Sequence, residues 1–159
     1  MASGIFSLPR NCELSLVEYI NAQVQANWNG VSVIKDFTQA YQTPVPVICV
    51  RMLSRAPTRR EIGSQALYQK FTFTVDIFAN SDGQRLDLDD FIINTIIGGC
   101  DYFACSKDPS NPKNIIYTPT GTRLTLFKFI SDVKVLAPQD AQIEDKFRQT
   151  ITFVMTKYD

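Results

Sequence analysis

Two groups of charged side chains stand close enough together in this sequence to suggest chemistry. Asp87, Asp89 and Asp90 form an acidic cluster, and paired carboxylates can bind Mg²⁺ or share a proton. The cluster falls in the early turns of a predicted helix, where the helix dipole stabilises negative charge. Because no nucleophile or base accompanies these residues, we interpret them as a solvated helix face and expect neither a metal site nor catalysis.

The second group is basic, and its four members lie within one short segment: Arg51, Arg55, Arg59 and Arg60. Arginines pair with phosphates or with carboxylates on another subunit. The sequence has no Gly-rich loop followed by Lys-Ser or Lys-Thr, which phosphate binding would favour. Two interpretations stay open, a solvated hairpin tip and a loop that contacts another protein. We nominate the four arginines as candidate protein-interface residues.

The composition excludes several classes of function. The chain of 159 residues has no histidine, so Ser-His-Asp catalysis, Cys-His catalysis and a histidine-ligated zinc site are impossible within it. Its 16 basic side chains balance 16 acidic ones, which argues against a protein that mainly neutralises phosphate. We therefore expect a protein that is not an enzyme and needs no cofactor.

The N-terminus and the cysteines indicate a compartment. Residues 1–10 lack the basic start and apolar run of a secretory signal. The longest apolar stretch, 91–97, is far shorter than the roughly 20 residues that span a bilayer. Synthesis in a reducing cytoplasm predicts that all four cysteines are free thiols. Cys100 and Cys105 lack the further ligands that a tetrahedral zinc ion needs.

Two helices are predicted from apolar residues at helical spacing. Ser15 and Glu18 form a capping box for the first helix, and Gly30 ends it. Ser81 caps the second helix together with Gln84 in the same way. The apolar stripe of the first helix comprises Leu16, Ile20, Val24 and Trp28.

Strands are predicted from alternating apolar and polar residues. The strongest alternation runs through Phe71–Ile77. A change of phase near 129–131 predicts a β-bulge in a later strand. Further strands are predicted at 31–37, 47–52, 122–136 and 147–158.

These elements predict a single α+β domain over residues 14–159. We expect a mixed, mainly antiparallel sheet of about five strands, with two helices packed on one face. Residues 1–13 are predicted to form a flexible N-terminal arm. Long loops are predicted at 53–66 and 101–121, where turn-forming residues are frequent, and a polar connection at 138–145.

The order and spacing of these segments resemble the tail terminator, or tail-completion, proteins of long-tailed bacteriophages. The resemblance rests on the opening helix at 15–24, the proline-led strand at 44–52, the strand at 68–79 that leads directly into a capped helix, and the terminal strand at 147–158.

The resemblance implies a structural virion protein that forms a hexameric ring on the last ring of a tail tube. Such a ring stops tube polymerisation and presents a joining surface to the head–tail connector. DNA would slide through the lumen without specific recognition, in keeping with the zero net charge. The implied location is the neck region of the virion tail after synthesis in the host cytoplasm, without membrane association. The implied partners are further copies of the chain, the tail-tube protein and the connector.

Three alternatives stay open. The chain could be another component of the same virion, such as a neck, head-completion or tail-tube protein, and a tube protein polymerises into long tubes. It could be a cytoplasmic module that dimerises around a small ligand, which then stabilises it by mass action. It could be an enzyme that uses the acidic cluster with a metal, in which case Mg²⁺ or Mn²⁺ would raise its melting temperature.

Overall fold

The computed structural model describes residues 5–59, 62–63, 67–136 and 146–157. Within these ranges the chain is an α+β domain with three helices and six strands. The helices are α1 (Leu8–Asn27), α2 (Phe37–Ala40) and α3 (Asp82–Ile97). The strands are β1 (Ser32–Ile34), β2 (Val47–Arg59), β3 (Leu67–Phe78), β4 (Cys100–Lys107), β5 (Ile115–Lys134) and β6 (Arg148–Lys157). The predicted fold class is confirmed, with one more strand and one more helix than predicted.

The six strands form one mixed sheet in the order β1-β2-β3-β6-β5-β4. Only the pairing of β1 with β2 is parallel, and the other four pairings are antiparallel. β5 is long enough to use two partners, because its first half pairs with β4 and its second half pairs with β6. The sheet is therefore mainly antiparallel, as predicted.

The core lies between the sheet and the two long helices. The alternating residues Phe71, Phe73, Val75 and Ile77 of β3 are fully buried in it, because successive side chains of a strand point to opposite faces. α1 and α3 cover this face with residues such as Leu16, Ile20, Leu88 and Ile92. α2 packs on the opposite face against Val47 and Phe78. The two predicted helices thus share one face, and the unpredicted short helix covers part of the other.

The first helix begins earlier than predicted. α1 starts at Leu8 with Pro9 in its first turn, where a proline costs no helical hydrogen bond. Ser15 lies inside the helix and is buried, so its prediction as the N-cap is wrong. Its Oγ donates to the carbonyl of Asn11 at 2.6 Å and accepts from the Phe103 N–H at 3.0 Å. The serine hydroxyl therefore links α1 to β4 by a hydrogen bond and does not cap a helix.

The predicted N-terminal arm is largely part of the fold. Ile5 forms an isolated antiparallel bridge with Ser106, and the Phe6 N–H donates to the carbonyl of Cys105 at 2.8 Å. Residues from Leu8 onward belong to α1. The described part of the arm is held because it covers the outer edge of β4.

Both predicted long loops contain strands. A long loop is predicted at 53–66, but β2 extends to Arg59 and β3 begins at Leu67. Most of 101–121 belongs to β4 and β5, with Asp108 N–H donating to Asn114 across the intervening turn. Tertiary pairing overrides the weak local alternation of these exposed hairpins. The predicted connection at 138–145 lies outside the described residues.

Two local predictions are confirmed. The Ser81 Oγ accepts from the Gln84 N–H at 3.2 Å at the start of α3. The Gln84 side chain reaches back to the N–H of Asn80 at 2.8 Å. The register between β5 and β6 shifts between Phe129 and Ser131, where the change of phase predicted a bulge.

Candidate protein-interaction surfaces

Arg51 belongs to a buried ion cluster within the subunit. Its Nη2 lies 3.4 Å from Oδ2 of Asp76, whose side chain has no exposed surface. Oδ1 of Asp76 accepts from Arg148 Nη2 at 2.9 Å and from Thr150 Oγ1 at 2.7 Å. A buried carboxylate requires such partners because an unpaired buried charge costs several kcal/mol. Arg51 therefore helps to hold β2, β3 and β6 together.

Of the two nominated arginines whose side chains the structure describes, Arg55 is the more exposed. Its side chain is exposed, and its Nε donates to Gln69 Oε1 at 2.6 Å across the β2–β3 hairpin. Arg59 ends β2 and pairs with Leu67 in the strand register. Arg60 lies outside the described residues. The four arginines thus do not form one described cluster, because Arg51 is turned into the sheet and Arg55 lies further along the hairpin.

A groove of about 310 Å³ opens beside Arg55, between the first turns of α1 and the outer edge of β2. Glu13 lies in it and pairs with Lys35 at 3.0 Å, while its Oε2 accepts from the Met52 N–H at 2.9 Å. Arg10 also lines the groove. Three cationic side chains therefore surround one carboxylate, and we call this feature the basic groove. Its lining consists of Pro9, Arg10, Glu13, Lys35, Met52, Leu53, Ser54 and Arg55.

The second half of β5 exposes apolar side chains that a monomer would be expected to bury. Phe127, Ile130 and Val133 are 46%, 54% and 52% exposed. β4 pairs with β5 only as far as Leu124, so in the described parts of the chain one edge of β5 has no strand neighbour beyond that point. Open apolar strand edges are sites of association with other chains. We call this feature the β5 edge.

The three residues of the predicted acidic cluster differ in burial. Asp87 and Asp90 are exposed, as predicted, but Asp89 is buried, so its interpretation as a solvated residue is wrong. Asp89 lies three and seven residues before Ile92 and Ile96, on the buried face of the helix. That spacing was the signal in the sequence that would have placed Asp89 inside.

Asp89 belongs to a polar network that links α3 to β5 and β6. Arg85 Nη1 donates to the side-chain oxygen of Gln149, and Gln149 Nε2 donates to Asp132 Oδ1 at 2.5 Å. Burial, followed by the hydrogen bond and negative charge of Asp132, raises the pKa of Asp89 to about 7. The partners of Asp89 are structural groups, and none of them is a nucleophile.

A smaller cavity of about 200 Å³ lies between α1 and the β4–β5 hairpin. Glu18, Tyr19 and Phe103 contribute to its walls. An exposed ion pair closes one side, with Arg123 Nη1 2.8 Å from Asp101 Oδ1. Cys100 also lines the cavity, and burial raises the pKa of its thiol to about 12, so it is protonated at neutral pH.

The cysteines are unsuited to nucleophilic chemistry at neutral pH. All four are free and buried. Burial raises the pKa of Cys12 and of Cys100 to about 12, which keeps these thiols protonated. Among the residues that the structure describes, no three His, Cys, Asp or Glu side chains come together as a set of metal ligands.

The comparisons with known proteins assign no family to the chain. No protein-family model matches the chain, and a search of curated proteins finds no matching relative. Among the described helices, none is long and apolar enough to cross a membrane.

Proposed function

We propose that this protein is a structural component of a bacteriophage virion that closes into a ring, with six subunits, at the head-proximal end of a tail tube. The ring would terminate tube polymerisation and provide the joining surface for the head connector. The function is mechanical and involves no turnover. The observation that carries the proposal is the β5 edge, an exposed apolar strand on a small domain.

A ring requires two different surfaces on each subunit. In a head-to-tail assembly, one patch of each copy binds a different patch of the next, and the assembly closes when the rotation between neighbours is a simple fraction of a turn. The β5 edge lies on one side of the sheet, and β2 lies near the other side. A contact between these two different surfaces is heterologous. A self-complementary contact would instead join the same surface of both copies.

The charge of the chain suits passage of DNA. Sixteen basic and sixteen acidic side chains balance, so the protein lacks the excess of cations that gives tight non-specific binding to phosphate. A ring of such subunits would let DNA slide through its lumen. Its partners would be the tail-tube protein on one side and the connector on the other.

The first test is the mass and shape of the purified protein. Light scattering across a range of concentrations should reveal a species of about 108 kDa, as expected for six copies of an 18.0 kDa chain in a closed ring. Negative-stain images should show rings. If the purified chain is monomeric, addition of tail-tube protein should give tubes with capped ends; tubes that stay uncapped would reject the proposal.

Variants of the β5 edge test whether its exposed apolar side chains are needed for ring formation. Ile130→Lys with Val133→Lys places charge on the exposed apolar strand and should abolish ring formation without unfolding the subunit. Ile116→Lys is the matched control, because Ile116 is 42% exposed on the half of β5 that pairs with β4. Rings that survive the double substitution would contradict a role for the β5 edge.

The same experiment distinguishes the alternatives. Open-ended tubes formed by the protein alone would identify a tube subunit. A persistent dimer that a small ligand stabilises would identify a binding module. Each of these outcomes would replace the proposal.

A further inference from the structure

The first half of α3 combines an exposed apolar side chain with carboxylates. Leu86 is 51% exposed, whereas Leu88 and Ile92 of the same helix are fully buried. Asp87 is next to it, and Asp90 follows one turn later on the same side of the helix. We call these three residues the acidic knob.

The basic groove has the complementary character. Arg10 and Arg55 lie at its walls, and Met52 and Leu53 supply apolar surface between them. Leu53 is 53% exposed. Among the described residues of its lining, the only carboxylate is that of Glu13, which is already paired with Lys35 and with the N–H of Met52. The groove therefore presents uncompensated positive charge beside an apolar floor.

The two surfaces lie on different elements of the subunit. The basic groove lies between the first turns of α1 and the outer edge of β2, whereas α3 packs on β3, β6 and β5. Among the described residues, no ion pair joins Arg10 or Arg55 to Asp87 or Asp90. A second copy can therefore offer these charges partners of opposite sign.

We propose that the acidic knob of one copy docks into the basic groove of the next copy. Leu86 contacts Met52 and Leu53, while the carboxylates of Asp87 and Asp90 pair with the guanidinium groups of Arg10 and Arg55. The contact is heterologous because the knob and the groove are different surfaces, and it rests on the proposed ring. It extends the β5 edge, since α3 is joined to the end of β5 by the ion pair between Asp82 and Lys134 at 3.1 Å.

Charge reversal tests this contact in full-length protein. The groove variant carries Arg10→Glu and Arg55→Glu, and the knob variant carries Asp87→Lys and Asp90→Lys. Each variant should raise the protein concentration needed for ring formation by at least about tenfold, because like charges then face each other. All four side chains are exposed, so the melting temperature of the monomer should stay close to that of the unsubstituted protein. Lys107→Glu with Lys113→Glu, on the β4–β5 hairpin, is the control with the same change in charge as the groove variant and should assemble normally.

Restoration separates a direct contact from a general effect of charge. A chain that carries both pairs of substitutions has a knob and a groove of reversed sign, and it should form rings again. A mixture of the groove variant with the knob variant should also form rings, in which the two variants alternate around an even number of subunits. Sedimentation velocity at low and high salt measures each of these species.

The outcomes distinguish this inference from the proposed function. If the unsubstituted protein forms rings and both reversed variants form them equally well, the knob and the groove are not in contact, but the ring stands. If both variants fail to assemble and neither the combined chain nor the mixture recovers, the pairing is also wrong. If the unsubstituted protein forms no ring, alone or on tail tubes, the proposed function fails and this inference fails with it.

Discussion

The buried carboxyl of Asp89 in α3 lies beside the carboxyl of Asp132 in β5. Burial is the main cause that raises the pKa of Asp89 from its ordinary value of 3.8 to about 7, and the hydrogen bond and charge of Asp132 add to it. The charge of Asp90 acts in the same direction, and Arg85 opposes them. Below about pH 7, a proton on Asp89 removes the negative charge of this buried carboxyl beside Asp132. A bound proton therefore helps to join the helix to the strand.

We predict that the protein loses stability as the pH rises from about 4 to about 7. In this range the folded protein keeps a proton on Asp89 that the unfolded chain has already released, so a rise in pH favours unfolding. Above about pH 7 this contribution levels off. Asp89→Asn supplies a permanent N–H donor, removes the slope, and should raise the free energy of unfolding at about pH 8 by about 1 to 3 kcal/mol.

Urea denaturation from about pH 4 to about pH 8 measures both effects. Asp87→Asn is the matched control, because Asp87 lies on the same helix but is exposed; this variant should keep the pH dependence of the unsubstituted protein. An Asp89→Asn variant with an unchanged slope would show that another group is responsible.

The ion cluster around Asp76 is expected to be essential for stability. Asp76→Asn removes the buried carboxylate that pairs with both Arg51 and Arg148. We expect a loss of about 3 to 5 kcal/mol in the free energy of unfolding, since breaking a buried pair leaves an uncompensated charge. The exposed pair of Asp101 and Arg123 is the comparison, and Asp101→Asn should cost less than about 1 kcal/mol. Equal losses in the two variants would contradict this prediction.

The hydroxyl of Ser15 should matter more than that of Ser7. Ser15→Ala leaves the Phe103 N–H without its acceptor, and an unsatisfied buried donor costs about 1 to 3 kcal/mol. Ser7 is the N-cap residue of α1 but makes no side-chain capping hydrogen bond, so Ser7→Ala should change stability by less than about 0.5 kcal/mol. Thermal unfolding of the two variants measures the difference. A helix that truly began at Ser15 would show a substantial loss of helicity instead.

Gly99 is predicted to tolerate substitution less well than Gly30. Both have a positive φ, 69° for Gly99 and 74° for Gly30, and this conformation alone costs an alanine about 1 to 2 kcal/mol. At Gly99 the added Cβ would also collide with the backbone carbonyl of Leu124, whereas Gly30 has open space around it. Gly99→Ala should therefore lower the melting temperature clearly more than Gly30→Ala, and similar values would contradict the close approach of the two segments.

The elements with a strong apolar period could be predicted from the sequence. The alternation at Phe71–Ile77 and the capping box at Ser81 correspond to β3 and to the start of α3. These signals are local, since they depend on side-chain spacing and on hydrogen bonds between neighbouring residues. The bulge near Phe129 could be predicted for the same reason, because an extra residue changes which face the following side chains occupy.

The hairpins and the start of α1 could not be predicted in this way. β4 and the outer parts of β2 and β5 contain serine, threonine and proline, and they become strands by pairing with the neighbouring strand of the same hairpin. Ser15 followed by Glu18 has the pattern of a helix start. Yet the partner that determines the role of Ser15 is Phe103, 88 residues away.

The candidate surfaces also depend partly on the sequence and partly on the tertiary structure. The sequence by itself determined that the chain has no histidine chemistry, a balanced charge and an α+β pattern. Only the tertiary structure decided that Arg51 turns inward to Asp76, that Asp89 is buried, and that the apolar side chains of β5 remain exposed. Composition and local period describe what a segment prefers, whereas burial depends on which distant segments pack against it. The sequence identifies the charged residues, whereas only the tertiary structure identifies the side chains that pair with them.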